Sequence, residues 1–189
     1  MARKRSRRLV IDASVARSAT FDENPTSVAC RSFLQDVLDI CHRVVITSQV
    51  DREWQDRALA IHDKADQRRS RFLVDWLFAM GRKKGKILRP RVTANDALRR
   101  KINCLGLPQA ARKEIIEDIH LVEAAMASDR VIISRDDAAQ RLRSNITGSC
   151  PEIRKVIWCN PVTVSDDGLR WLRNGAPVVK VWQLGSKRQ

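Results

Sequence analysis

The chain has 189 residues, the size of a single domain, and its 36 Lys and Arg residues against 22 Asp and Glu residues give a net charge of +14. Such a charge attracts polyanions, most commonly nucleic acid, and the alternatives are an acidic lipid surface or merely a soluble basic protein. Five cysteines without a C-x-x-C pair argue against a zinc knuckle and a secreted disulfide framework, and no apolar run reaches membrane-spanning length, so we expect reduced thiols, no membrane contact and a cytoplasmic protein.

Apolar runs and helical periodicity alternate along the chain, separated by turn residues. In the first half they predict a strand at 8–12, a helix from Pro25 to about residue 42, a strand at 44–47, a helix capped by Ser48, and a helix ending at Gly81. In the second half they predict a helix at about 95–105, a helix from Pro108 to Ala127 broken near Lys113, a strand at 131–134, a helix at 137–143, a strand at 155–159, and a last helix capped by Ser165. Residues 82–91 are dense in cations, so we expect an exposed loop or hairpin there.

This alternation of strands and helices is typical of an α/β fold with a central parallel sheet and helices on both faces. We expect one domain over residues 8–185, preceded by a basic, flexible segment at 1–7. Within the domain, about 62–107 is predicted to be a helical and basic insertion, and about 155–185 a C-terminal extension of one strand and one helix.

Four acidic residues lie where such a sheet brings side chains to one edge. Asp12 ends the first strand, Asp136 follows the strand at 131–134, and Glu53 and Asp118 are predicted on helices. The carboxyl ends of parallel strands meet at the edge where open α/β folds bind ligands. Clustered carboxylates repel one another unless a hard cation such as Mg²⁺ or Mn²⁺ lies among them, and these ions also bind phosphate oxygens. The pattern predicts a metal site acting on a phosphodiester, and Asp12→Asn should abolish cleavage without loss of stability.

Each acid also has a simpler interpretation. Asp12 could form the turn at the end of its strand, and Asp118 could be an exposed acid on a helix. Glu53 has Asp51 and Asp56 as neighbours in the same predicted helix. Residue types and spacing leave these alternatives open.

Other signatures of phosphate binding and metal binding are missing from the sequence. The chain contains neither G-x-x-x-x-G-K-[ST] nor G-x-G-x-x-G, which excludes a glycine loop that cradles a nucleotide. The three histidines, His42, His62 and His120, have no metal-ligand spacing. We expect them to be surface or helix-capping residues.

The order of the acids resembles that of the PIN-domain nucleases across about residues 8–160, in the segments VIDAS, VITSQVDREW and DIHLVEAAMASDRVIISRDD. That family uses a first-strand Asp, a helical Glu and two further Asp residues, the last in a Ser/Thr-x-Asp turn, to bind Mg²⁺ or Mn²⁺ and cleave RNA. The resemblance implies that the metal ligands and catalytic residues here are Asp12, Glu53, Asp118 and Asp136. It also implies that Ser134 opens the turn, that Ser14 supports the first Asp, and that Asp137 lies in the first turn of the next helix.

The resemblance implies metal-dependent hydrolysis of RNA that leaves 5′-phosphate and 3′-hydroxyl ends. The substrate would be tRNA or mRNA. The chain would belong either to the VapC-type toxins, with an acidic antitoxin protein as partner, or to RNA-processing relatives, and a homo-oligomer is a further expectation. Two other functions stay open: a non-catalytic nucleic-acid-binding module on the same scaffold, and a DNA-directed nuclease of the related flap type.

Cationic side chains near the predicted site are expected to contact phosphates, which positions a strand without reading its sequence. The candidates form two groups, the first being Arg82, Lys83, Lys84, Lys86, Arg89 and Arg91, and the second Arg99, Arg100 and Lys101. Arg135 stands between Ser134 and Asp136, close enough in sequence to the acids to contact the phosphate that is cleaved.

Overall fold

A computed structural model of the chain describes residues 6–60 and 64–186, with side-chain positions for all of these except 64–69. The strands are β1 (Arg8–Ile11), β2 (Arg43–Val45), β3 (Ile87–Leu88), β4 (Val131–Ile133) and β5 (Ile157–Cys159). The helices are α1 (Ala13–Ser18), α2 (Pro25–Asp39), α3 (Ser48–Arg57), α4 (Lys64–Arg82), α5 (Asp96–Asn103), α6 (Gln109–Glu117), α7 (Ile119–Met126), α8 (Asp137–Asn145) and α9 (Pro161–Arg173). Short 3₁₀ helices lie at Pro151–Ile153 and Lys180–Trp182.

The five strands form one parallel sheet in the order β3-β2-β1-β4-β5, which confirms the predicted α/β fold. The central strand β1 is apolar and fully buried from Leu9 to Ile11, as expected when helices cover both faces. The strand order changes direction at β1, with β2 and β3 on one side and β4 and β5 on the other. The chain leaving β1 and the chain leaving β4 therefore diverge at a topological switch point, where open α/β sheets bind their ligands.

The helices pack in two groups, as expected for two covering layers. α2 packs against α1, α4 and α9, and α6 packs against α5, α7 and α8. α7 also contacts both β1 and β4, so this short helix lies next to the switch point. Apolar side chains of α2 and α7 are buried between the layers and the sheet, among them Phe33, Val37 and Val122.

Two helix caps differ from the prediction. Thr47, not Ser48, caps α3, because Thr47 has an extended backbone and its hydroxyl accepts the N–H of Val50. Asn160, not Ser165, caps α9. Ser165 lies inside α9 with φ of 40°, at a kink between two helical segments.

The helix predicted from Pro108 to Ala127 breaks at Asp118 and not near Lys113. The backbone of Asp118 has φ of −100° and ψ of 15°, which ends α6 and lets α7 begin at the next residue. Asp118 therefore lies at the junction of two helices and not in the middle of a solvent-facing helix. The helix that follows it, α7, contacts both β1 and β4.

The cation-rich stretch 82–91 contains an edge strand that the charge pattern hides. Lys86 and Leu88 accept backbone hydrogen bonds from Val44 and Ile46, which adds β3 to the sheet beside β2. Ile87 and Leu88 are half-buried while most of the cations around them are exposed. The predicted insertion therefore contributes to the sheet, and the stretch is exposed as expected.

Ser6 and Arg7, which precede β1, are hydrogen-bonded to the rest of the fold. Ser6 donates to the carbonyl of Cys41, and the backbone N–H of Arg7 donates to Nδ1 of His42 at 3.1 Å. Nε2 of the buried His42 then donates to the carbonyl of Leu172 near the end of α9, a capping contact. His62 lies outside the described residues. In the described part of the chain, no helix is both long and apolar enough to cross a membrane.

Candidate metal centre

Asp12 marks the carboxyl end of β1 at the switch point. Its backbone N–H donates to the carbonyl of Ile133 on β4 at 2.9 Å, so the strand ladder extends to this residue. Its carboxylate caps α1 by accepting the N–H of Ser14 at 3.3 Å. Asp12 is only 8% exposed, and its ionised side chain therefore depends on the hydrogen bonds around it.

Two serine hydroxyls fix the Asp12 carboxylate. Oγ of Ser14 and Oγ of Ser134 both donate to Oδ2 of Asp12, at 2.5 and 2.6 Å. Each hydroxyl also accepts a backbone N–H from the turn after β4, Ser14 from Arg135 at 3.2 Å and Ser134 from Asp136 at 3.1 Å. Hydrogen bonds to an ionised group are roughly twice as strong as neutral ones. The serines thus join the ends of β1 and β4.

The adjacent acids Asp136 and Asp137 have different surroundings. Asp136 is exposed and caps α8, its Oδ1 accepting the N–H of Ala139 at 2.7 Å. Asp137 is the first residue of α8, as predicted, and its carboxylate accepts the side-chain amide of Asn160 at 3.1 Å. Asp136 is therefore linked through Ser134 to the switch point, whereas Asp137 is bound to the start of α9.

Glu53 is held beside the same edge by α3 and α7. The neighbouring Trp54 is buried, and its indole N–H donates to the carbonyl of Ile11 at 3.0 Å, which pins α3 to the end of β1. Oε2 of Glu53 lies 3.3 Å from Nε2 of the buried His120 on α7, close enough for an ion pair although outside good hydrogen-bond geometry. Burial acts to lower the pKa of His120, but the partnership with Glu53 outweighs it and raises the pKa. His120 is thus buried and not at the surface, while its Nδ1 lies 3.3 Å from the carbonyl of Glu117 at the end of α6, a capping contact.

Asp118 has a fully buried arginine as its partner. The guanidinium of Arg143 on α8 lies 3.6 Å from the Asp118 carboxylate, whose side chain is 26% exposed. The same guanidinium donates to the carbonyls of Ala139 and Ile115 at 2.9 and 3.3 Å, and it lies 5.6 Å from the ring of Trp158. Its buried Nε atom has no hydrogen-bond partner among the residues that the structure describes. Arg143 therefore ties α8 to the end of α6 and places a positive charge directly behind Asp118.

The four acids share one electrostatic neighbourhood. Burial raises the pKa of Asp118, Arg143 opposes that shift, and the negative charges of Asp12 and Glu53 raise the pKa further. Burial likewise lowers the pKa of Arg143, against the favourable charges of Asp118, Asp136 and Asp12. The structure therefore brings Asp12 and Glu53 within electrostatic range of Asp118 from distant segments of the chain, and Arg143 offsets only part of the repulsion at Asp118. Asp136 is within range of the same guanidinium of Arg143.

Carboxylate oxygens are the ligands that Mg²⁺ and Mn²⁺ prefer, so the donor set suits a hard divalent cation. Residual repulsion at Asp118 is the kind of imbalance that such a cation relieves. Among the described residues, no three Asp, Glu, His or Cys side chains stand close enough together to enclose a metal ion. The acids fit a metal by chemistry and charge, and coordination by three of them would require their side chains to turn toward one another.

Several of the predicted phosphate-binding cations have partners within the fold. Nζ of Lys83 donates to the carbonyl of Leu38 at 3.0 Å, and Nζ of Lys86 donates to the carbonyls of Val37, at 2.8 Å, and Ile40. These carbonyls end α2, so both lysines cap that helix, as cations do at helix C-termini.

The second cationic group is divided in the same way. Arg99 makes a two-pronged salt bridge with the buried Glu123, at 2.8 and 2.7 Å, which makes Arg99 structural. Lys101 pairs with Glu152 at 3.5 Å, and Arg89 of the first group pairs with Asp51 at 3.0 Å, both at the surface. Of the predicted phosphate-binding cations, four are exposed and make no salt bridge in the described part of the chain: Arg82, which lies over the ring of Phe78, together with Lys84, Arg91 and Arg100.

Arg135 extends from the turn after β4 toward α1, where its guanidinium donates to Oγ of Ser18. Sequence reasoning missed Arg143 and His120. His120 interrupts the apolar run of α7 two residues after Asp118, and Arg143 shares the buried face of α8 with Ala139, four residues earlier. A polar residue on an apolar helix face was the available signal in both places.

Comparison of the chain with protein-family models, with curated proteins and with solved structures found no match. Membership of the PIN-domain family therefore stays a hypothesis based on the four acids and the residues beside them.

Proposed function

We propose that this protein is a divalent-metal-dependent ribonuclease of the PIN type, which hydrolyses RNA phosphodiester bonds to leave 5′-phosphate and 3′-hydroxyl ends. The observation that carries the proposal is the interaction of Asp12 and Glu53 with Asp118 at the switch point of a parallel sheet, where burial and these two charges raise the pKa of Asp118. Asp136 follows the neighbouring strand and acts on the same Arg143 that pairs with Asp118. Like charges brought together in a partly buried place destabilise a fold, so such an arrangement is typical of a functional site.

In this proposal Asp12, Asp118 and Asp136 would hold Mg²⁺ or Mn²⁺, and Glu53 would bind it directly or through water. A cation so bound lowers the pKa of a water ligand and neutralises charge on the phosphate. The surrounding residues would orient the acids that bind the metal. The two serines aim one oxygen of Asp12, and the buried guanidinium behind Asp118 restricts the rotation of that carboxylate.

His120 has a similar positioning role for Glu53. Its ring is held between the Glu53 carboxylate and the carbonyl of Glu117, 3.3 Å from each. An imidazole held by two partners keeps the glutamate near the sheet edge without itself contacting substrate. Arg135 is placed beside the acids but is directed at Ser18, so we assign it to the path of the RNA next to the cleaved bond.

The net charge of +14 supports a polyanionic substrate. Of the predicted cations, the exposed set of Arg82, Lys84, Arg91 and Arg100 suits phosphate contacts best, since Lys83, Lys86 and Arg99 are engaged in the fold. The choice of RNA over DNA comes from the resemblance to PIN-domain nucleases.

The test is incubation of the purified protein with RNA and single-stranded DNA of equal sequence, each labelled at one end, in Mg²⁺, in Mn²⁺ and in EDTA. We expect cleavage of RNA with either metal, none in EDTA, products with 5′-phosphates, and no cleavage by Asp12→Asn. Cleavage of DNA alone would favour the flap-type alternative. Binding of RNA without cleavage under any metal would favour the non-catalytic module and refute the proposal.

A further inference from the structure

A polar cavity of about 640 Å³ lies beside the metal centre, at the far end of α1. Its walls come from the end of α1, the chain leading into α2, and the end of α3. α1 begins at Asp12 and has six residues, so at a rise of 1.5 Å per residue the cavity opens about 9 Å from the Asp12 end of the helix. Its volume is within the range of small-molecule sites.

One wall of the cavity is fixed by internal hydrogen bonds. The buried hydroxyl of Thr20 donates to Asp22 at 2.8 Å and contacts the hydroxyl of Ser27 at 3.0 Å. The side chain of Asn24 caps α2 by accepting the N–H of Ser27 at 2.9 Å. Arg31 binds the carbonyls of Thr20 and Asp22 from behind. This wall is therefore preorganised and is not formed by a loose loop.

The opposite side of the cavity carries three charged side chains to which the described residues offer no partner. Arg17 and Arg57 line the cavity, are exposed, and make no hydrogen bond or salt bridge within the described part of the chain, and the same holds for Asp56. Each arginine is in the last turn of its helix, where a cation meets the helix dipole favourably. The favourable interaction with the helix dipole accounts for an arginine at the end of each helix, but not for the position of both arginines at the same cavity.

We propose that this cavity binds one nucleotide of the RNA strand adjacent to the bond that is cleaved. Arg17 and Arg57 would contact its phosphate, because guanidinium groups suit phosphate oxygens. Asp56 and the fixed wall around Asp22 would accept hydrogen bonds from the sugar hydroxyls and the base. A free phosphate would be repelled by these carboxylates, whereas a nucleotide offers both the anion and the donors.

Arg135 connects the cavity to the metal centre. Its backbone N–H binds Ser14, next to Asp12, and its guanidinium binds Ser18, which lines the cavity. A strand lying along α1 would therefore pass from one site to the other. The identity of the ligand as RNA rests on the proposed function, whereas the location of the binding site does not.

The experiment measures binding of a fluorescently labelled single-stranded oligoribonucleotide by anisotropy, in EDTA so that no cleavage occurs, over a series of salt concentrations. The double variant Arg17→Gln/Arg57→Gln is compared with a control of equal charge, Arg43→Gln/Lys155→Gln. Arg43 starts β2 and Lys155 precedes β5, so both exposed control residues lie at the opposite edge of the sheet. Thr26→Trp is a third variant, which fills the cavity without changing the charge.

We expect the cavity variant to reduce the slope of log affinity against log salt by up to about 1.4, since each phosphate contact on a single strand contributes about 0.7. The control should keep the wild-type slope, and Thr26→Trp should weaken binding at every salt concentration. Equal slopes for the cavity variant and the control, with unchanged binding by Thr26→Trp, would overturn the inference. Because no metal is present, this result is independent of whether the protein cleaves RNA.

Discussion

Replacing Asp12 by Asn should destabilise the metal-free protein, contrary to what the sequence suggests. Sequence reasoning counts only the loss of one like charge, but in the structure two serine hydroxyls donate to the same carboxylate oxygen at 2.5 and 2.6 Å. Hydrogen bonds to charged groups contribute about 1.5–3 kcal/mol and neutral ones about 0.5–1.5 kcal/mol, so neutralising Asp12 weakens two bonds by about 1–1.5 kcal/mol each.

The geometry of the amide adds to this loss. If the Asn oxygen stays on the serine hydroxyls, its NH₂ group faces the backbone N–H of Ser14, which now donates to the other carboxylate oxygen. The Asn side chain no longer repels the Asp118 carboxylate, which offsets part of the lost stability, but Arg143 already balances much of the negative charge of Asp118. We therefore expect a net decrease in unfolding free energy of about 1–3 kcal/mol. In a chain of this size, about 2 kcal/mol corresponds to a decrease of about 4–8 °C in Tm.

Urea unfolding in EDTA, followed by tryptophan fluorescence, measures this difference directly. Asp56→Asn is the matched control, since it removes one negative charge from an exposed residue that has no hydrogen bond or salt bridge in the described part of the chain. Added Mn²⁺ should raise the Tm of the wild type and of the control more than that of Asp12→Asn. An Asp12→Asn variant as stable as the wild type, or more stable, would refute the view that the serines hold an ionised carboxylate.

Three further predictions concern the buried charges. Arg143→Met should lower the unfolding free energy in EDTA by about 3 kcal/mol. This value is at the low end for a broken buried ion pair because Asp118 is partly exposed. An unchanged midpoint of urea unfolding would contradict the pairing of Arg143 with Asp118. Burial acts to raise the pKa of Glu123, but Arg99 outweighs it and holds that pKa below its ordinary value. The salt bridge therefore stabilises the fold above the pKa of Glu123 in the unfolded chain, about 4.3, and this stabilisation is lost as the pH falls through the lower pKa of the folded state. The stability difference between wild type and Glu123→Gln should accordingly be large at neutral pH and shrink in acid, and a constant difference would argue against it. Lys86→Met should cost about 1–3 kcal/mol and speed amide exchange at the end of α2, whereas a loss of RNA affinity at unchanged stability would place this lysine on the substrate.

The sequence predicts the parallel sheet because buried strands are short, apolar and β-branched, and it predicts the first and last acids because they directly follow such strands. Strand 8–12 and strand 131–134 are close to β1 and β4 for this reason. β3 escapes prediction because only two apolar residues stand among cations, and its pairing with β2 is a long-range contact that no local pattern records.

The buried partners of the acids are not predicted from the sequence for a related reason. A helical arginine is normally solvent-exposed, and the only local feature that separates Arg143 from the exposed Arg141 two residues before it is its position four residues after the small apolar Ala139. Only the packing of α8 against α6 turns one inward and leaves the other outside. The same holds for Lys83 and Lys86, which look like part of a phosphate-binding surface until the end of α2 is placed beneath them.

The cleavage rates of Asp136→Asn and Asp137→Asn, measured side by side on single-stranded RNA in saturating Mn²⁺, test the proposed metal centre most directly. Asn caps helices as well as Asp does, so Asp136→Asn should leave α8 and the fold intact. We predict that it lowers the rate by orders of magnitude, because a metal ligand is lost, and that Asp137→Asn stays active, because Asp137 is bound to Asn160 away from the switch point. The reverse ranking would place the fourth ligand one residue later, and full activity in both variants would contradict a metal centre built on this turn.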